Sequence, residues 1–380
     1  MSVRAAYALI NRLFDVGLRW LPPRWSMFRV CGGLGLGMGL VTAVVLAQLR
    51  GQSVRDVLLM SVGSFAVFLG LAVLRTRRGG AARLICFHDE FAALGGATVM
   101  LVVLGRPVLS YLDVAVLGVG VVIATGRVGC LLVGCCHGRP ATWGLRYGAA
   151  HVDDGFPRAY AGVRLLPVQG LEALTLIGAV GVGAALALHG RPAGTVLVWF
   201  LLVQASTRFL LEFLRGDDRP AWKGLSQTQW IALAVLSGVA AVTTLGSGPL
   251  RPLAWAALAA TVVVTLLAIS RPFPELTQPG HVADLVRVVR AAGRAPGEIV
   301  VQTTSLGIRI SAQHLDSSTR HYAFSRSVDP LTTREAIRLS RTIRLVETAS
   351  GAVPLGPIER PAQPRVLGVH HLSLHTEPTG

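Results

Sequence analysis

Residues 108–133 read VLSYLDVAVLGVGVVIATGRVGCLLV, a long apolar run whose only charged side chains are Asp113 and Arg127. An α-helix needs about 20 apolar residues to cross a hydrocarbon core of roughly 30 Å, so this run predicts a transmembrane helix. Similar runs recur up to residue 269, and two of them are short, which puts the expected count at seven or eight. The predicted segments are Val30–Leu49, Val57–Leu74, Phe91–Leu104, Val108–Val133, Gly170–Leu188, Thr195–Leu214, Trp230–Leu245 and Leu253–Ile269.

The composition of the chain supports a membrane protein. Of its 380 residues 52% are hydrophobic and only 15% are charged, against about 25% charged residues in an average soluble domain. The net charge is +16, and the apolar part contains most of the basic residues without any contiguous basic block. This pattern favours contact with anionic lipid headgroups over nucleic acid, and it argues against a soluble enzyme.

The sequence divides into three predicted parts. Residues 1–29 suit an amphipathic segment on the membrane surface, residues 30–271 form the transmembrane domain, and residues 275–380 have the composition of a small soluble α+β domain. The fold class is therefore an all-α polytopic membrane protein with a C-terminal α+β domain. Its predicted helices and strands are His281–Ala292, Glu298–Thr303, Leu306–Ala312, His321–Arg326 and Thr332–Val346.

The end of the chain predicts little regular structure. The tail beyond Ala352 contains five prolines and should be extended. Its histidines, His370, His371 and His375, are expected to be solvated rather than metal ligands.

Ionisable residues cluster within the apolar segments, where each one costs free energy and therefore indicates a specific role. Arg127 lies near the end of the fourth segment, and Arg208, Glu212 and Arg215 share one face of the sixth. Further polar residues stand at the ends of other segments: His88, Gln169, Glu172 and Gln229. In an alternating topology all of them can converge on one side of the membrane.

Each of these residues has a purely structural interpretation when it is taken alone. An arginine at a helix end can reach the headgroups, a pair of opposite charges can bridge two helices, and Gly126 and Gly129 can permit close helix packing. Together they favour a binding site for a phosphate-bearing substrate, because arginine pairs well with phosphate and a histidine can act as a base.

The motifs resemble those of the prolipoprotein diacylglyceryl transferase family, in family order, over roughly residues 25–247. They are Phe87-His88, Gly126-Arg127-Val128-Gly129 with Gly134 and Gly138, Pro167-Val168-Gln169 with Glu172, Arg208 to Glu212 to Arg215, and Ser226 with Gln229. The resemblance implies an enzyme that moves a diacylglyceryl group from phosphatidylglycerol to the lipobox cysteine thiol of a preprolipoprotein, releasing glycerol phosphate.

The resemblance also implies roles for individual residues. Arg127 and Arg208 would hold the phosphate, and His88 would be the base for the thiol or a lipid contact. Glu212 would orient Arg208 or Arg215. The remaining positions would line the polar cavity and bind substrate: Gly129, Gly138, Gln169, Glu172, Arg215 and Gln229. No metal and no cofactor is implied. The expected partners are phosphatidylglycerol or another anionic phospholipid, and a preprolipoprotein.

The chain departs from the family signature at two cysteines. The family has Gly-Arg-x-Gly-Asn and a Glu five residues later, where this chain has Cys130 and Cys135. With Cys136 and His137 these residues admit three interpretations. They are buried thiols without a function, metal ligands despite a spacing that matches no usual zinc pattern, or reactive thiols beside Arg127.

These departures leave alternative functions open. One is a paralogue that uses another lipid or acceptor, and a second is a non-catalytic protein that binds anionic lipid. A third is a thiol oxidoreductase. The resemblance places the protein in the bacterial cytoplasmic (inner) membrane with the site facing outward, whereas the arginine-rich loop at residues 75–83 favours a cytoplasmic side.

Overall fold

The structure is a computed structural model that describes residues 26–77, 86–153, 155–245, 249–270, 274–316, 319–351 and 369–375. Most of the predicted amphipathic segment, residues 1–25, lies outside the described residues. Ser26 caps the first helix by accepting a hydrogen bond from the backbone N–H of Arg29.

Within the residues that the structure describes, eight long helices form the membrane part. They are α1 (Met27–Leu49), α2 (Val54–Arg77), α3 (Cys86–Val103), α4 (Val108–Val133), α6 (Val168–Leu188), α7 (Thr195–Glu212), α8 (Gln227–Leu245) and α9 (Arg251–Ile269). Seven of these helices are long and apolar enough to cross a membrane, while the apolar part of α3, Glu90–Val103, is shorter. The predicted fold class is confirmed, and most helices begin a few residues earlier than the apolar runs indicated.

Helix α4 is the central helix of the membrane part, and α1 packs along it most extensively. The two backbones touch where Gly39 faces Gly118. A Cβ atom on Gly39 would lie 2.6 Å from the carbonyl oxygen of Gly118, and one on Gly118 would lie 2.8 Å from that of Gly39. Close approach of this kind is a common basis of helix association in a bilayer, because packing replaces the missing hydrophobic driving force.

Asp113 sets the position of α7 against α4. Its buried carboxylate accepts backbone N–H bonds from Gly194 and Leu197, both 2.9 Å long, at the start of α7. Because the first N–H groups of a helix have no partner within the helix, this side chain acts as a cap supplied by another helix. Asp113 lies near the start of α4, so the starts of both helices meet here and the two helices run in parallel. The halves that end at Val133 and Glu212 meet about 20 Å further along.

The loop between α4 and α6 is folded rather than irregular. It contains β1 (Pro140–Arg146), the short helix α5 (Ala149–Asp153) and β2 (Arg164–Leu165), which pairs antiparallel with β1. A second short hairpin, β3 (Ala221–Trp222) with β4 (Leu225–Ser226), lies between α7 and α8.

In its described residues the C-terminal part folds as a four-stranded antiparallel sheet with two helices. Its elements are α10 (Pro279–Arg294), β5 (Val300–Thr303), β6 (Ile308–His314), β7 (Thr319–Arg326), α11 (Thr333–Ser350) and β8 (Val369–His375), and the strands lie in the order β5-β6-β7-β8. Both helices are strongly amphipathic, and their apolar faces supply much of the core. A capping box at Thr332 and Glu335 begins α11.

The prediction that the tail histidines are solvated is wrong for His370. The tail returns to pair with β7, so β8 is the fourth strand of the sheet. His370 is buried, stacks on Phe324 and contacts the carbonyl oxygen of Leu331 at 3.0 Å, while His371 contacts His321. The side chain of His375 lies outside the described residues.

The C-terminal domain sits on the folded loop between α4 and α6. Tyr147, Phe156, Tyr160 and Leu165 of this loop share one apolar core with the domain. Arg290 donates to the carbonyl oxygens of residues 158 and 159, and Arg146 donates to that of residue 351. The domain therefore lies on the same side of the helix bundle as this loop. This agrees with the four helices α6 to α9 that separate the loop from the domain in the sequence.

The contact between α1 and α4 can be tested with one added methyl group. We expect Gly39→Ala to lower the stability of the protein by about 1–3 kcal/mol, because the new Cβ displaces the backbone of α4. Gly37→Ala is the matched control, since nothing lies within 4 Å of the position of its Cβ, and it should be neutral or slightly stabilising. Thermal unfolding of the two purified variants in detergent measures the difference, and equal stabilities would contradict the proposed packing.

Acidification should destabilise the C-terminal domain through His281. Burial lowers the pKa of this histidine to about 4, although the charge of Asp284 opposes the shift. A histidine whose pKa is lower in the folded state gives its full contribution above about pH 6.5, and this contribution is lost as the pH falls towards 4. We expect a loss of about 2 kcal/mol between pH 7 and pH 5.

Hydrogen exchange of α10 in the full-length protein checks this expectation at the two pH values. His281→Leu should abolish the excess opening at pH 5. His189→Leu, which changes an exposed histidine between α6 and α7, should leave it in place.

Candidate functional site

The candidate site is built around the carboxylate of Glu172. One of its oxygens, Oε1, lies 3.0 Å from Nε of Arg127 and 2.6 Å from Nη1 of Arg208. The three residues come from α6, α4 and α7, and their side chains are at most 4% exposed. The structure thus brings together three residues that the sequence predicted for the site.

The arrangement follows from the cost of charge in an apolar interior. A buried ion is tolerated only where an opposite charge and hydrogen bonds replace its hydration. Glu172 lies one turn into α6, opposite the distal halves of α4 and α7, where Arg127 and Arg208 reach it. Two cations share one anion, so these three residues together carry a net positive charge.

A second charged group continues from the first towards the loop after α7. Arg215 makes two hydrogen bonds to Asp217, of 2.8 and 2.9 Å, and lies 3.8 Å from Glu212. Arg219 contacts the same two acids at 2.9 and 3.5 Å. Burial alone would raise the pKa of Asp217, but the hydrogen bond from Arg215 and the two nearby arginines hold this pKa below its ordinary value.

Sequence reasoning missed Asp217 and Arg219 in this group. Both stand in the polar sequence Arg215-Gly216-Asp217-Asp218-Arg219 directly after α7, which resembles an ordinary solvated loop. The sequence indicated them only by their position, two and four residues after Arg215, which had already been assigned to the site.

Backbone contacts hold the two loops at the site together. Residues Gly138 and Arg215 form an isolated antiparallel bridge, the N–H of Gly216 donates to the carbonyl oxygen of His137, and the N–H of Arg139 donates to that of Leu214. A Cβ on Gly216 would meet the carbonyl oxygen of Gly138 at 2.4 Å, so only glycine fits there. The predicted site residue Gly138 thus belongs to a close contact between loops.

His137 is buried beside the rings of Phe156 and Tyr160, and its Nδ1 contacts the carbonyl oxygen of Gly138 at 2.9 Å. Burial lowers the pKa of His137, although that hydrogen bond opposes the shift. Burial therefore favours the uncharged form of this side chain.

Other predicted site residues support the loops. Gln169 donates to the carbonyl oxygen of Cys135 at 2.7 Å. Gln229 accepts the N–H of Ser226 and lies 3.3 Å from the carbonyl oxygen of Phe209, which joins β4 to α7.

Two further positions of the predicted site lie at its edges. Gly129 faces α1, where a Cβ would lie 3.0 Å from that of Cys31. His88 lies in the first turn of α3, and its side chain is outside the described residues. Its neighbour Glu90 contacts Gln204 at 3.3 Å, so the start of α3 does approach α7.

A cavity of about 150 Å³ opens beside the second charged group. Glu212, Arg215 and Gln229 line it from the membrane part, and Gln278 and Arg338 line it from the C-terminal domain. No pattern in the sequence indicated that this domain would contribute to the cavity.

The cysteines at the end of α4 also come together. The three sulfur atoms of Cys130, Cys135 and Cys136 all lie within 4.8 Å of one another. Cys130 is buried, Cys136 is partly buried and Cys135 is exposed. The contact exists although the sequence spacing matches no usual metal motif.

Fold and site define a polytopic helical membrane protein with a buried arginine–carboxylate cluster at one end of its bundle. Residues 71–245 match the prolipoprotein diacylglyceryl transferase family. The family resemblance predicted from the motifs is therefore confirmed for this part of the chain.

Curated relatives agree with this match. The chain is 33% identical over 134 residues to phosphatidylglycerol–prolipoprotein diacylglyceryl transferase 2 of Clostridium perfringens, which covers 34% of this chain and 50% of the relative. It is 33% identical over 151 residues to the transferase of Dehalococcoides mccartyi, covering 39% of this chain and 56% of the relative. The chain thus spans about half the length of the curated relatives it matches.

Because Glu172 pairs with two buried arginines, we expect it to stabilise the fold as well as to form the site. Glu172→Gln leaves the shape almost unchanged but removes the charge between two buried arginines. We expect a loss of about 3–5 kcal/mol, because breaking a buried ion pair leaves an uncompensated charge. Thermal unfolding in detergent measures the loss, and Glu298→Gln, a change to an exposed glutamate, should leave stability unchanged. Equal unfolding temperatures would show that Glu172 does not neutralise the arginines.

Proposed function

We propose that this protein transfers a diacylglyceryl group from phosphatidylglycerol to a cysteine thiol of a preprolipoprotein. The thiolate sulfur attacks the glyceryl carbon that carries the phosphate, the carbon–oxygen bond breaks, and glycerol phosphate leaves. A thioether forms and the thiol proton passes to a base.

The observation that carries this proposal is the buried pair Arg127 and Arg208 on one carboxylate, within the part of the chain that matches the family. A phosphodiester has one negative charge, and the phosphate monoester that leaves gains a second. Fixed guanidinium groups stabilise such developing charge, and their planar donors suit phosphate oxygens. Glu172 holds both groups in place before the substrate arrives, so little reorganisation is needed.

Glu212 and Arg215 line the cavity to which the C-terminal domain also contributes. An acceptor peptide arriving from the aqueous side would enter past this domain, while the lipid would enter from between the helices. His88 is assigned as the base for the thiol on the strength of the family motif. The mechanism needs no soluble cofactor, because the phosphate is a leaving group that the arginines already activate.

The cellular setting is part of the proposal. The bacterial cytoplasmic membrane supplies both phosphatidylglycerol and preprolipoproteins, and the multi-pass helix bundle fits that location. If the site faces outward, as in the family, the C-terminal domain and the cavity face the same aqueous compartment as the incoming acceptor.

The proposal is tested in a strain depleted of its own diacylglyceryl transferase. The chain is expressed together with a reporter lipoprotein, and mass spectrometry detects a diacylglyceryl mass increase on the reporter cysteine. We expect Arg208→Gln and Arg127→Gln to lower the modified fraction per hour about 100-fold or more, since removing one transition-state donor costs roughly 10²–10³ in rate.

Arg191→Gln is the matched control for this experiment. It makes the same change in the exposed connection between α6 and α7, at the other end of the bundle, and should retain full activity. Absence of the mass increase with a well-inserted wild-type chain and its native acceptor would contradict the transferase proposal. Retained binding of phosphatidylglycerol in that case would support a lipid-binding protein without transferase activity.

A further inference from the structure

The three cysteines Cys130, Cys135 and Cys136 form a cluster that the proposed transfer reaction does not use. Their convergence depends on a left-handed turn after α4. Gly134 ends the helix with φ = +83° and donates to the carbonyl oxygen of Cys130, and Cys136 has φ = +57°. These two positive φ angles turn the chain back, so that residues separated by five and six positions present their sulfur atoms to one point.

The backbone at Cys136 is strained. Glycine adopts a left-handed conformation freely, whereas in a residue with a Cβ this atom comes too close to the following carbonyl oxygen. Only Cys136 and Lys223 have a positive φ among the described non-glycine residues. Strain of this kind persists where the surroundings fix it, and here it brings the third sulfur atom into the cluster.

The surroundings of the cluster suit negative charge. Nη2 of Arg219 lies 3.9 Å from the sulfur of Cys136. The carbonyl oxygen of Cys135 is held by Gln169, which fixes the turn from the side of α6. Cys135 itself is exposed, so an ion can reach the sulfur atoms from outside the bundle.

We propose that Cys130, Cys135 and Cys136 bind one thiophilic d¹⁰ metal ion, Zn²⁺ or Cu⁺, through three thiolates. Three thiols release three protons and form three metal–sulfur bonds, with no change in oxidation state. A metal–sulfur bond of about 2.3 Å places ligand sulfurs about 3.8 Å apart in a tetrahedral site. The sulfur atoms, already within 4.8 Å of one another, need to close by about 1 Å or less.

The chemistry of the donors selects the ion. Soft thiolates favour Cu⁺ and Zn²⁺, whereas Mg²⁺ and Ca²⁺ require oxygen ligands. Three sulfurs can complete the coordination of Cu⁺, while Zn²⁺ would take a water or another ligand at a fourth position, as catalytic zinc sites do. Positive side chains nearby offset the excess negative charge of three thiolates on either ion.

The metal proposal does not rest on the proposed transferase activity. It uses residues outside the Arg127–Glu172–Arg208 cluster, although Gln169 connects the two, three residues before Glu172. Failure of the lipid transfer experiment would therefore leave the metal proposal intact, and the reverse also holds.

Metal titration of the reduced full-length protein in detergent tests the proposal under anaerobic conditions. Zn²⁺ is titrated against a chromophoric chelator, and Cu⁺ against bicinchoninate. We expect one equivalent of at least one ion to bind, with about three sulfur neighbours near 2.3 Å by X-ray absorption. The triple variant Cys130→Ser/Cys135→Ser/Cys136→Ser should lose this binding, and Cys135→Ser alone should weaken it about tenfold or more.

Cys31→Ser is the matched control, because Cys31 is buried on α1 outside the cluster, and it should bind the ion as the wild type does. Protection of the wild-type thiols from maleimide by the bound ion gives a second measurement that does not depend on folding of the triple variant. Stoichiometric binding that survives in the triple variant would overturn the proposal. So would an absence of binding by both ions in the wild type.

Discussion

The bond between Glu172 and two arginines is the constraint on which the membrane part depends. An ion in an apolar bundle is costly unless it is paired, and here one carboxylate oxygen serves cations from two different helices. The three helices that supply these residues must therefore keep one relative register. Asp113 fixes the other end of the same α4–α7 pair through the backbone of α7. Between these two polar anchors, apolar side chains such as Leu117 and Phe200 form the core.

The aqueous end of the bundle is ordered by backbone pairing instead. The loops after α4 and α7 join through a bridge between residues 138 and 215 and through two further backbone hydrogen bonds. The C-terminal domain then packs on the first of these loops and shares its apolar core. A cavity between charged residues of the membrane part and polar residues of the domain results from this packing. The soluble domain is thus part of the architecture of the site.

Sequence patterns predicted the helices well because an apolar run long enough to cross a bilayer is seldom found outside a membrane span. The same patterns placed Arg127, Glu172 and Arg208 in one site, since charges in such runs need partners. They failed for the tail, where the strand Val369–His375 is specified by pairing with β7 rather than by its own composition. They also failed for the loop residues Asp217 and Arg219, because contacts between distant loops depend on tertiary packing. The thiol cluster depends on two left-handed residues that spacing does not reveal.

The position of β8 has a consequence for how the protein is made. This strand buries Leu372 and Leu374 in the domain core, and its sequence follows all eight helices. A ribosome releases these residues only after every helix of the bundle has been synthesised. The four-stranded sheet can be completed only then, so the domain on the loop after α4 lacks its fourth strand until the last helix of the bundle has been synthesised.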